Sequence, residues 1–188
     1  MPIKLFFSLI FVAFIASLTS CEDTGHTVKN ASEADSTAIA NTVHGFYAWY
    51  AKHKELEKMD FTDTTEAHLK LDEEKFDNYL NAFERSEFVS DEYIEGERVY
   101  FARCETIWQT EEKGDLPAGF DANRVYCAQD DVHNELLRSV GVSSKIHSNT
   151  VKSEVYASAQ IANITFNLKK EKDRWLITKI LCDQSIQF

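Results

Sequence analysis

The chain is poor in the short motifs by which catalytic and redox sites are usually recognised. Its 188 residues include only four cysteines and two prolines, and no two cysteines stand in a C-x-x-C arrangement. A thioredoxin-like redox site and a zinc knuckle are therefore unsupported. The six histidines show no H-E-x-x-H spacing, and no serine stands in a G-x-S-x-G turn. The sequence thus gives no ground for a zinc protease or for a serine or cysteine nucleophile.

Positive charge is also scarce. The chain has 20 lysines and arginines against 31 aspartates and glutamates, a formal net charge of −11. Because an acidic surface repels phosphate backbones and anionic headgroups, we expect no nucleic-acid partner and no electrostatic docking on a membrane. The excess acid is typical of a surface that resists aggregation, and it leaves a cationic partner or ligand open.

The one long apolar run lies at the start of the chain. Lys4 precedes a mostly apolar stretch over 5–18, and Ser20 is the small residue before Cys21. This order is typical of a secretory signal peptide. Ordinary signal peptidase requires a small residue at the third position before its cleavage site, and a cut before Cys21 would place Leu18 there. Leu18-Thr19-Ser20-Cys21 therefore favours a lipobox instead. Plain secretion and an uncut membrane helix are the alternatives, and the second needs about 20 apolar residues.

A lipobox predicts that Cys21 is acylated, and two or more acyl chains anchor a protein stably. We therefore expect a signal peptide over 1–20, a lipidated tether over 21–35 and a single domain over 36–188. The acidic start after Cys21 is similar to that of surface-exported lipoproteins. This favours the bacterial cell envelope, at the periplasmic or the outer face of the outer membrane.

Helical periodicity dominates the first half of the domain. An apolar stripe predicts an amphipathic helix over about 36–58, and a second helix follows Asp72 as its N-cap. Ser90 marks the start of a third helix. Because Gly96 lowers the helix propensity of this stretch, we place the regular part of the helix after Gly96. The first stripe consists of Ile39, Val43, Phe46, Tyr47 and Tyr50.

The second half predicts strands. From Val142 onward the chain is rich in Val, Ile, Thr and Tyr with period-two alternation, and the parity changes at Ala162-Asn163, which indicates a bulge or turn. A polar turn is expected over 169–173 and a last strand over 174–182. Helices followed by antiparallel strands predict an α+β fold.

Four short segments occur together in this chain: Phe46-Tyr47-x-Trp49-Tyr50, Phe88-Val89-Ser90, Ala128-Gln129-Asp130 and Lys172-Asp173-Arg174-Trp175-x-Ile177. Together they resemble a family of small bacterial lipoproteins of unknown function, whose domain is a cone-shaped α+β fold similar to nuclear transport factor 2 (cystatin-like). The resemblance covers about residues 36–183 and implies helices packed on a small curved antiparallel sheet that often encloses a pocket. It implies no reaction and no catalytic residue.

Two groups of residues are candidates for ligand contact. Tyr47 lies on the apolar stripe, where a core position is the favoured interpretation and a pocket rim the alternative. Trp49 lies off that stripe and is the better candidate for surface recognition. Asp130 and His133 belong to a polar segment with Asp121 that has oxygen ligands but lacks the EF-hand pattern. Loop capping and turn chemistry are favoured there, and we expect no metal and no cofactor.

Three cysteines follow Cys21. Because exported compartments oxidise thiols, one disulfide with one thiol left over is expected. Pairing of Cys104 with Cys127, around Pro117, is preferred, and three buried unpaired thiols are the alternative.

Two functions fit these observations. The first is a non-catalytic, membrane-anchored module that binds a small molecule, a peptide or an envelope protein. The second is a small pocket enzyme of the isomerase or dehydratase type, in which Asp130, Tyr47 and His133 would be the first suspects for acid–base chemistry. The binding module is favoured because no acid–base pair stands at a recognisable spacing.

Overall fold

The structure is a computed structural model that describes five stretches of the chain. The predicted signal peptide, the lipidation site Cys21 and the candidates Asp130 and His133 lie outside them. The described residues are 26–65, 68–111, 116–129, 141–149 and 152–182.

Four helices occupy the first half of the described chain. Two of the helix starts have capping side chains: Ser32 accepts a hydrogen bond from the backbone N–H of Asp35, and Asp72 accepts one from Lys75. The predicted N-cap at Asp72 is thereby confirmed. No helix in the described ranges is long and apolar enough to span a membrane. The helices are α1 (Glu33–Tyr50), α2 (Lys54–Glu57), α3 (Glu73–Arg85) and α4 (Asp91–Trp108).

Five of the seven described strands form one antiparallel sheet in the order β1-β4-β5-β6-β7, and β2 and β3 form a separate two-stranded ladder. The predicted α+β class and the predicted last strand are confirmed. The strands are β1 (His26–Asn30), β2 (Thr62–Asp63), β3 (Lys70–Leu71), β4 (Ser143–Asn149), β5 (Glu154–Ile161), β6 (Ile164–Glu171) and β7 (Arg174–Cys182).

The N-terminal boundary of the domain was predicted too late in the chain. Residues 26–30, assigned to the tether, form β1, and α1 already begins at Glu33. β1 pairs with β4 from His26 opposite Asn149 to Asn30 opposite Lys145. A strand at the edge of a sheet is held by backbone hydrogen bonds, which a polar composition does not reveal.

The first and third helices also differ from their predicted extents. α1 ends at Tyr50 rather than near 58, because the chain turns there and Leu56 on α2 is buried separately. α4 runs without interruption through Gly96, which is exposed. The burial of Tyr93 and Phe101 on either side of Gly96 outweighs a propensity cost of about 1 kcal/mol.

Two tight hairpins connect the last three strands. The predicted parity change is a turn at Ala162-Asn163, where Ala162 has a φ of +50°. The second turn is shorter than the predicted 169–173 and comprises only Lys172 and Asp173. Residues 169–171 instead continue β6 and pair with the start of β7.

The core lies between the sheet and helices α1, α3 and α4. Phe166 of β6 meets Phe46 and Tyr47 of α1, with ring centroids 6.4 Å and 5.5 Å apart. Residues 88–90 lie beside β7, where the backbone of Ile177 accepts from Ser90 and donates to Phe88. Large side chains therefore fill the space between α1 and the sheet. The cavity described below lies outside this space.

Candidate binding site

A cavity of about 360 Å³ lies between the end of α1, α2, α3, α4 and the segment 119–129. We call it the aromatic cavity. Its polar lining comes mainly from Glu57, Lys58, Asp121, Asn123 and Arg124. Its aromatic lining consists of Tyr50, Phe61, Tyr79, Phe101, Phe120 and Tyr126.

The helices supply the aromatic walls because their buried stripes converge there. Tyr50 closes the last turn of α1, Tyr79 belongs to the buried face of α3, and Phe101 to that of α4. Phe61, just before β2, packs between them, with its centroid 5.2 Å from Tyr79 and 4.8 Å from Phe101. Side chains that look like simple core residues in the sequence therefore also form a wall.

The segment 119–129 is shaped by the side chain of Asn123. Its Oδ1 accepts from the backbone N–H groups of Val125 and Tyr126, each at 2.9 Å, and its Nδ2 donates to the Tyr50 hydroxyl at 3.1 Å. The backbone N–H of Asn123 also donates to the carbonyl of Ala128. The turn chemistry predicted for this segment is confirmed at Asn123, which ties the loop to the wall of the cavity.

A buried ion pair lies directly behind the cavity. Glu97 on α4 is only 5% exposed and accepts two hydrogen bonds from Arg124, from Nε at 3.1 Å and from Nη2 at 2.5 Å. The guanidinium of Arg124 lies 3.5 Å from the ring centroid of Tyr100. Burial by itself lowers the pKa of Arg124, but the Glu97 carboxylate outweighs it and raises that pKa above its ordinary value. The guanidinium thus stays charged, and its contact with Glu97 is a charge-assisted, two-point hydrogen bond.

The tyrosines around this pair are held neutral. Burial is the main cause that raises the pKa values of Tyr50, Tyr79 and Tyr93 above the ordinary value, and it raises the pKa of Tyr100 to about 12. At physiological pH their hydroxyls can donate and accept hydrogen bonds but cannot act as bases. The arrangement is chemically suited to recognition rather than to proton abstraction.

The two candidates on α1 do not line this cavity. Tyr47 is fully buried, its hydroxyl donates to the carbonyl of Val125, and its ring stacks 5.9 Å from Tyr126. The core interpretation of Tyr47 is confirmed, and the pocket-rim alternative is wrong. Trp49 is half-buried and packs against Phe83 at 5.4 Å and His53 at 4.7 Å, at the margin of the core.

Glu97 and Arg124 were missed, although the sequence carries a sign of the first. Tyr93, Glu97 and Phe101 follow one another at intervals of four, so a carboxylate stands in the middle of a buried helical stripe. A charge in that position requires a partner. Arg124 has no such sign, because it stands in an irregular segment without periodicity.

The disulfide joins Cys127 to Cys182, with 5.3 Å between the Cα atoms. The preferred pairing of Cys104 with Cys127 is therefore wrong, and Cys104 is free and buried. Cys104 points from α4 into the core and packs against Gly119, where an added Cβ would lie 2.9 Å from its sulfur. Cys182 at the end of β7 reaches Cys127 because the fold brings these distant segments together, which loop length alone cannot indicate.

Within the described residues, no three His, Cys, Asp or Glu side chains are grouped so that they could hold a metal ion. Comparison of the chain with protein-family models, with curated proteins and with solved structures finds no match.

Proposed function

We propose that this chain is an exported, lipid-anchored binding module that holds a small ligand in the aromatic cavity. The observation that carries the proposal is the cavity itself, about 360 Å³ in volume and lined by six aromatic and six polar residues. Small-molecule sites have volumes of about 300–1,000 Å³ and combine mostly apolar walls with a small number of orienting polar groups. Asn123 and Arg124 are suited to that orienting role.

Binding is favoured over catalysis by the state of the ionisable groups. The buried tyrosines have pKa values raised away from neutrality, chiefly by burial. The buried carboxylate, Glu97, is occupied by two hydrogen bonds from Arg124. An isomerase or dehydratase needs a base or acid poised near the working pH, and the buried tyrosines, with their raised pKa values, do not supply such a base.

Export and anchoring are supported by two independent features. The lipobox at Cys21 predicts acylation, and a disulfide between Cys127 and Cys182 is typical of oxidising compartments outside the cytoplasm. The four described helices and the antiparallel sheet are compatible with the proposed resemblance to the cone-shaped lipoproteins similar to nuclear transport factor 2. The bacterial outer membrane is the proposed location.

Filling the cavity tests the binding function. Ala122 lines the cavity, so Ala122→Trp places an indole where a ligand would lie. Ala102, exposed on α4, is the matched control as Ala102→Trp. Each protein is purified from its native envelope and denatured, and the released small molecules are identified by mass spectrometry. We expect a compound at near-stoichiometric amount from the wild type and from Ala102→Trp, and at least a tenfold loss from Ala122→Trp. Equal amounts from all three would contradict the proposal.

Replacing the acylated thiol tests the anchor. We expect Cys21→Ser to move the protein from the membrane fraction to the aqueous fraction, because a hydroxyl cannot carry the thioether lipid. Cys104→Ser, which removes a thiol and leaves the lipobox intact, should stay with the membrane. The measurement is immunoblotting of the two fractions, with circular dichroism to show that both variants are folded. A Cys21→Ser protein that still sediments with membranes would refute acylation at this residue.

A further inference from the structure

We propose that the aromatic cavity selects a small organic cation whose charge is spread over apolar groups, as in a quaternary ammonium. This inference rests on the proposed function and names its class of ligand. It is carried by the geometry of the rings and by the balance of charge around them.

The rings present faces in several directions. Tyr126 lies perpendicular to Tyr50, with centroids 5.1 Å apart and an interplanar angle of 72°. Phe120 is inclined at 53° to Phe61, with centroids 5.0 Å apart. Cations are attracted to the faces of aromatic rings within about 6 Å, and rings inclined to one another can surround one cation.

A cation already lies on a ring beside this cluster, because Tyr100 does not line the cavity but packs 5.1 Å from Phe101. The guanidinium of Arg124 is 3.5 Å from the centroid of Tyr100 and 5.7 Å from that of Phe101. Phe101 also lines the cavity. The chemistry that we propose for the ligand is therefore present in the protein's own side chains.

The charges that line the cavity favour a positive ligand. Arg124 is neutralised by Glu97, and Lys58 is exposed, so water screens its ammonium. Glu57 and Asp121 are half-buried and, within the described residues, form no ion pair. Among the described residues, these two carboxylates of the lining thus have no ion-pair partner, on a chain whose formal net charge is −11.

The directions of the pKa shifts at two wall tyrosines agree with this balance of charge. The pKa of Tyr79 is raised by burial and by the Glu97 carboxylate, and Arg124 lowers it. The pKa of Tyr50 is raised mainly by burial, the hydrogen bond from Asn123 lowers it, and the charges of Glu57 and Glu97 raise it. Carboxylates close to both hydroxyls favour a cation over an anion as the ligand.

A charge-matched pair of probes tests the inference. Choline and its neutral isostere 3,3-dimethyl-1-butanol have nearly the same shape and differ in the charge of the quaternary centre. Both are titrated into the purified full chain by isothermal titration calorimetry at low ionic strength. We expect choline to bind at least tenfold more tightly than the alcohol. Equal affinities would overturn the selectivity and leave binding in the cavity intact, and binding of neither probe would overturn the ligand class.

Removing the carboxylates of Glu57 and Asp121 tests whether they cause the preference for choline. The double variant Glu57→Gln/Asp121→Asn keeps the shape of both side chains, and we expect its affinity for choline to fall about tenfold while that for the alcohol is unchanged. Glu74→Gln/Glu84→Gln, which removes two exposed carboxylates on α3, is the matched control and should bind choline like the wild type. A loss of affinity equal in the control would show that only the overall charge matters and would overturn the assignment. The ligand released from wild type and from Ala122→Trp tests the cavity independently of its charge preference.

Discussion

Replacing Arg124 with methionine is expected to lower the free energy of unfolding by about 3–5 kcal/mol, the usual cost of stranding one partner of a buried ion pair. The variant leaves the Glu97 carboxylate, 5% exposed, without its two hydrogen bonds. Methionine keeps most of the apolar length that packs on Tyr100, so the loss measures mainly the stranded charge. Urea denaturation followed by circular dichroism is the measurement.

The chain offers its own control in an exposed ion pair. Arg98 and Asp77 lie 2.8 Å apart with 42% and 52% of their side chains exposed. Arg98→Met should therefore change stability by no more than about 1 kcal/mol. The double variant Glu97→Leu/Arg124→Met should recover most of the loss, because it removes both buried charges. A loss below 1 kcal/mol in Arg124→Met alone would show that Glu97 is solvated in the folded protein.

Removing the disulfide is expected to cost a similar amount. Cys127 and Cys182 are 55 residues apart in the sequence, and a bridge over a loop of that size restricts the unfolded chain by about 4 kcal/mol in the loop-entropy model. We expect Cys127→Ala/Cys182→Ala to be destabilised by that order of magnitude. Mass spectrometry of a non-reduced digest should also find the peptides that contain these two cysteines joined.

Cys104→Ala distinguishes this pairing from the alternatives. It removes one buried sulfur and should cost about 1 kcal/mol, within the ordinary range for a single substitution. Dithiothreitol should destabilise the wild type and Cys104→Ala but leave the double alanine variant unchanged. If the stability of Cys104→Ala no longer depended on the reductant, the disulfide would have to join Cys104 to Cys127 instead.

Elements that depend on local chemistry could be predicted from the sequence. Asp72 is a good N-cap wherever a helix follows it, and a stretch rich in apolar and β-branched residues directly after a polar turn is enough to place β7 at Arg174–Cys182. Both signals are carried by residues close together in the chain.

Elements that depend on distant partners could not be predicted in this way. β1 forms because it pairs with β4, which lies more than 100 residues later in the chain. The polar composition of residues 26–30 does not indicate that partner. The continuity of α4 through Gly96 is likewise decided by burial of its neighbours rather than by the glycine itself. Tertiary contacts outweigh local preference in both cases.

The candidate site could be predicted only in part, because it depends on local sequence patterns and on contacts between distant residues. Glu97 could be recognised as a charge in an apolar stripe, whereas its partner Arg124 and the cavity wall depend on where the segment 119–129 lies in three dimensions. The prediction that Tyr47 would be core was sound because it rested on helical spacing alone.

The pairing of β1 with β4 has a consequence for how the domain would stand on a bilayer. Only five peptide steps separate Cys21 from His26, so their Cα atoms can be at most about 18 Å apart. His26 lies opposite Asn149, at the end of the sheet where β7 begins, while Cys182 and the disulfide lie at the other end, about 25 Å away along nine residues of strand. A lipid on Cys21 would hold the first end close to the headgroups. The disulfide, and with it the Cys127 end of the segment 119–129, would then lie at the membrane-distal end of the molecule.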